Sequence, residues 1–86
     1  MQQQQLQHFI DLAVGQLDYL DPILGYDLQF VCATRPIDGG MFTCFYEQVL
    51  ERANVWPQGT MRQAWNNVLD CLAEISNSEH VRKAGV

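Results

Sequence analysis

The chain has 86 residues, of which 48% are apolar and 17% charged, and its formal net charge is −5 at neutral pH. That length sets a single small domain burying roughly two-thirds of its unfolded surface, and the apolar content excludes a disordered, highly charged chain. An acidic balance repels nucleic acid and anionic membrane surfaces and attracts basic protein surfaces.

The N-terminus, Met1-Gln2-Gln3-Gln4-Gln5, carries no positive region and no long apolar run, which argues against a secretory signal. Residues 2–20 read as a helix. At about 100° per residue, Leu6, Phe9, Ile10, Ala13, Val14, Leu17 and Leu20 share one arc, opposite Gln4, His8, Asp11, Gly15 and Asp18. Leu12 and Tyr19 fall beside the polar stripe. Asp21-Pro22 suits a cap followed by a first helical turn.

Residues 22–34 are ambiguous. As a helix they are apolar all round, which implies burial. As a strand, Tyr26, Leu28, Phe30 and Cys32 alternate with Asp27, Gln29, Val31 and Ala33, and residues 41–46 would supply a hairpin partner. Few β-branched residues favour the helix. After the turn chemistry of residues 35–40, the next stretch to Asn54 is helical, with Phe42, Phe45, Tyr46, Val49, Leu50 and Ala53 on one face and Thr43, Cys44, Glu47 and Glu51 opposite. Asn54 suits a left-handed C-terminal position and Pro57 prevents continuation. Thr60-Met61-Arg62-Gln63 matches a capping box. The helix that follows puts Met61, Ala64, Trp65, Val68, Leu69, Cys71, Leu72 and Ile75 on its core side. The expectation is an all-α bundle of three to four short helices over residues 1–78, with a flexible polar tail over 79–86. The alternative is an α+β fold with a small hairpin spanning about residues 26–46.

No chemistry-bearing motif emerges. Cys32, Cys44, Cys71, His8 and His80 show no two ligand-type residues at zinc-site spacing, so no metal or cofactor is expected. Cys71 reads as an inert core thiol, and Glu47 and Glu51 would blunt the reactivity of Cys44. An odd number of widely spaced cysteines points to reduced thiols and a cytoplasmic setting. Glu47 with Glu51, and Asp11 with Asp18, form acidic rows without the setting of a catalytic dyad. The turn Asp38-Gly39-Gly40 lacks the lysine of a phosphate loop and reads as a helix cap. A helix-turn-helix reader would need a basic face, and no helix has one.

Charge asymmetry is the strongest functional signal. Asp11, Asp18, Asp21 and Asp27 all precede Arg35, the first basic side chain. The expected function is therefore that of a small protein-binding module, an inhibitor or regulator that occludes a basic or nucleic-acid-handling surface of a larger protein. Its expected contact residues are Asp11, Leu12, Gly15, Asp18 and Tyr19, with Glu47 and Glu51 as a second surface. In size and charge alone the chain is similar to immunity proteins against nuclease toxins and to phage anti-defence proteins, a likeness that carries no residue across. The alternative is a self-assembling accessory subunit, such as a small helical dimer, suggested by the apolar surplus that includes Phe30, Phe42, Phe45, Trp56 and Trp65. No acid, base or nucleophile stands in a catalytic setting, and an enzyme is not expected.

Overall fold

A computed structural model describes residues 1–83. It contains α1 (Gln3–Leu20), α2 (Pro22–Val31), β1 (Ile37–Asp38), α3 (Gly39–Asn54), α4 (Thr60–Ser76) and β2 (Val81–Arg82). Each helix packs on its chain neighbour, and α4 closes the ring on α1. The fold is thus a small all-α bundle with a tiny sheet at one end.

Helical periodicity explains the core. Leu6, Ile10, Ala13 and Leu17 of α1, Phe42, Phe45, Val49 and Ala53 of α3, and Trp65, Val68, Leu72 and Ile75 of α4 recur at three- and four-residue intervals and are all buried. Phe9, Val14, Leu20, Tyr46, Leu69 and Cys71 pack partly buried around them. Leu50 and Met61, expected on the core side, are instead exposed at the edges of their helices.

Of residues 22–34, 22–31 resolve as helix and 32–34 as turn, so the hairpin alternative does not form. Asp21 accepts a hydrogen bond from the Leu24 amide at 3.4 Å, Pro22 occupies the first turn, and Leu24, Leu28 and Val31 turn inward. Residues 41–46, the would-be hairpin partner, lie within α3. There Asp38 caps the helix by accepting from the Met41 amide at 3.0 Å.

Two expected helix-end motifs are absent. The box at Thr60–Gln63 does not close: the cap is Gly59, without a side-chain bond, and Gln63 reaches forward to Asn67 instead. At the end of α3 the chain keeps right-handed geometry, with Val55 at φ −77°, so Asn54 does not need the left-handed region.

Beyond Asn77 the expected fray does not begin at once. Ser78 is buried and donates to the Ile75 carbonyl at 2.7 Å. Val81 and Arg82 then pair in parallel with Ile37 and Asp38, and the Ile37 amide donates to the His80 carbonyl at 2.7 Å. The physical reason is local: Ile37 is fully buried, and Val81 covers it as part of the core's margin. The last part of the expected tail, residues 84–86, lies outside the described residues.

Candidate functional site

The outward side of α2 departs most from ordinary surface. Ile23, Tyr26 and Phe30, at i, i+3 and i+7, share one side of the helix and are 74%, 79% and 72% exposed. The same ten residues that read as apolar all round therefore bury only Leu24, Gly25, Leu28 and Val31. A single ring of four helices encloses one side of each, so an all-round apolar helix must leave one apolar side open.

Acids lie on both flanks of this face. On the α1 flank, Gly25 brings the helices so close that an added β-carbon would sit 2.9 Å from Asp18 Oδ1 and 3.5 Å from Leu17 Cβ. One groove farther along, Asp11 faces Gln29 and Ala33 with Gln3, Gln7 and Arg35, over a floor of Ile10, Val14 and Cys32. On the α3 flank, a second groove of about 560 Å³ is lined by Asp27, Phe30 and Val31 from α2 and by Gly40, Met41, Cys44, Phe45 and Gln48 from α3. Glu47 and Glu51 follow Cys44 by three and seven residues and share its exposed side of α3.

Basic side chains are scarce here. Arg35 is the only one among residues 1–51, and its guanidinium is turned onto the Cys32 and Thr34 carbonyls and Gln3. Arg52 pairs with Asp21 at 2.8 Å, tying the start of α2 to α3. Arg62 is spent on the Trp56 carbonyl and the amides of Asn54 and Asn66.

The residues expected at the contact surface are all exposed, but they divide. Asp11 and Asp18 face α2, Gly15 is exposed with open space around it, and Glu47 and Glu51 lie on the outward side of α3. Leu12 and Tyr19, 48% and 83% exposed, sit about 100° further round α1, away from α2. Their place beside the acids falls to Ile23, Tyr26 and Phe30, which sequence reasoning missed. The signal lies in the all-round apolarity of residues 22–34, which implies burial only for a helix enclosed on every side. Of the aromatics behind the self-assembly reading, Phe42, Phe45 and Trp65 are core, whereas Phe30 and Trp56 are exposed.

Burial pushes the Cys32 thiol up to about 11, against a partial lowering by Arg35. Burial, and then the neighbouring Asp70 and Glu74, raise Cys71 as well. Cys44 is exposed. The N-terminal ammonium, hydrogen-bonded to Glu79, lowers that carboxyl below its ordinary value. Among the described residues no three His, Cys, Asp or Glu side chains gather as metal ligands would. Among the described residues no helix is long and apolar enough to cross a membrane.

Compared with known proteins, the chain matches no family model, no curated protein and no solved structure. Fold and surface together define a small acidic four-helix domain with one open apolar helix face, and any function has to be argued from that face.

Proposed function

We propose that the protein is a binding module that occludes a basic, nucleic-acid-handling surface of a larger protein. One observation carries this reading: the apolar face of Ile23, Tyr26 and Phe30 stands between Asp11 and Asp18 on its α1 flank and Asp27 on its α3 flank. Carboxylates steer a basic partner and fix its register, while large apolar side chains supply the desolvated anchors that hold it. A contiguous apolar patch with a charged rim is the surface pattern of an interaction site. Three unpaired cysteines fit a reducing, cytoplasmic setting.

The alternative, a self-assembling accessory subunit, would use the same face. A two-fold contact through α2 would set Asp27 against its own copy, in a groove that no lysine or arginine lines. Charge therefore favours a foreign, basic partner.

The test is capture of partners by tagged protein from a native lysate at low and high salt, with identification by mass spectrometry. Wild type is compared with a Tyr26→Ala/Phe30→Ala pair and with a Leu12→Ala/Tyr19→Ala pair. The expected result is a stoichiometric basic partner that salt weakens and the α2 pair abolishes, with thermal stability nearly unchanged because both side chains are exposed. Equal capture by wild type and the α2 pair would remove this face from consideration. Loss with the Leu12/Tyr19 pair alone would move the contact to the far side of α1.

A further inference from the structure

We infer that the groove between α2 and α3 seats one cationic amphipathic helix of the partner. This inference rests on the proposed binding role of the α2 face and names what fills it. The groove floor is apolar, with Val31 and Phe45 beneath Phe30 and Met41, and its volume of about 560 Å³ takes more than one large side chain. Its walls are two helices, the geometry into which a third helix lays an apolar face.

Charge then selects the helix. Asp27, on the α2 bank, is the charged residue lining the groove and no lysine or arginine lines it, while Glu47 and Glu51 add negative charge on the outward side of α3 beyond the lining residues. A helix with leucine-type side chains on one face and lysines or arginines beside them satisfies floor and bank together. An acidic or neutral helix leaves Asp27 unpaired, and a second copy of this chain presents carboxylates to carboxylates.

Cys44 lines this groove and is exposed, whereas Cys71 is half-exposed on α4 and Cys32 is buried. This gives the experiment a built-in reporter. The probe is an 18-residue leucine–lysine peptide patterned for an amphipathic helix, beside a control with every lysine replaced by glutamate. Modification of Cys44 and Cys71 by a thiol reagent is followed by mass spectrometry with and without peptide.

The basic peptide is expected to slow Cys44 at least about tenfold and Cys71 less than about twofold, with Asp27→Lys or Met41→Glu weakening protection about tenfold, as expected for a desolvated anchor beside a paired charge. Asp70→Lys on α4 should leave protection unchanged. Equal slowing of both cysteines, or equal loss with Asp70→Lys, would mean diffuse adsorption and overturn the inference. Protection that grows with the protein's own concentration and needs no peptide would give the groove to a second copy, which also overturns it.

The two readings can fail separately. Lysate capture lost with Tyr26→Ala/Phe30→Ala but no protection by the basic peptide leaves the α2 face standing and removes the helix from the groove. Protection without any effect of that pair on capture removes the proposed function and leaves the groove's ligand class intact.

Discussion

At Gly15 an added β-carbon meets nothing within 4 Å, and the residue sits exposed within α1. Glycine in such a helical position costs about 0.5–1 kcal/mol relative to alanine, so Gly15→Ala should raise the unfolding free energy from urea titration by that amount. If a partner's backbone did approach closely at Gly15, the same variant would bind it less well while being more stable. Gly59 runs the other way. It precedes α4 at φ 153°, ψ −168°, a conformation reserved almost wholly for glycine, so Gly59→Ala should cost about 1–3 kcal/mol in the same titration although the site has open space. The cysteines set a third contrast. Native protein should be modified at Cys44 first, then Cys71, with Cys32 reacting only on unfolding. Because the folded pKa of Cys32 is raised from 9.0 to about 11, its neutral thiol contributes fully below pH 9 and that contribution is lost as pH rises towards 11. Unfolding free energy measured across pH 9–11 should therefore fall less steeply in Cys32→Ala than in wild type.

The helix ends show which local signals the sequence carries and which it does not. Asp38 satisfies the Met41 amide, and Asp38→Ala should cost about 1 kcal/mol by thermal or urea unfolding, in the usual range for a lost N-cap. Thr60→Ala should cost no more than about 0.5 kcal/mol, because Thr60 is already inside α4 and closes no box. If the two variants were equally damaging, the cap assignments would be wrong. Helices α1, α3 and α4 were legible because their buried residues recur at three and four, a pattern that depends only on one helix having one inner side. For α2 the pattern decided little, since its apolar residues surround the axis, and the Asp21-Pro22 start was the better guide. The pairing of residues 37–38 with 81–82 was not legible at all. Two-residue strands have no readable period, and their contact joins residues about half the chain length apart. The acidic flanks were visible as sequence rows, but the apolar face between them was not. Which side of α2 stays open depends on how α1 and α3 bracket it, a property of the ring and of no single helix.

For the whole molecule, an open apolar face raises the question of what keeps copies apart. Net charge of −5 contributes, yet placement matters more than total, because repulsion between exposed charges is screened beyond about 8–10 Å at ordinary ionic strength. Asp27 lines the groove beside Phe30 and Glu47 lies one helical turn from Cys44 of the same groove, so two copies meeting through α2 would bring these carboxylates within that range. Asp70 and Glu74, exposed on α4, would stay farther off. Neutralising Asp27 and Glu47 as Asn and Gln should therefore let the face self-associate, read as a concentration-dependent rise in sedimentation coefficient and melting temperature. Neutralising Asp70 and Glu74 removes the same two charges from the total and should leave the protein monomeric at matched concentration. Adding Phe30→Ala to the first pair should restore the monomer, since the apolar anchor is then gone. Wild type that already sediments as a dimer, with Phe30→Ala dissociating it, would show that the acids do not guard the face and would return the α2 surface to self-assembly.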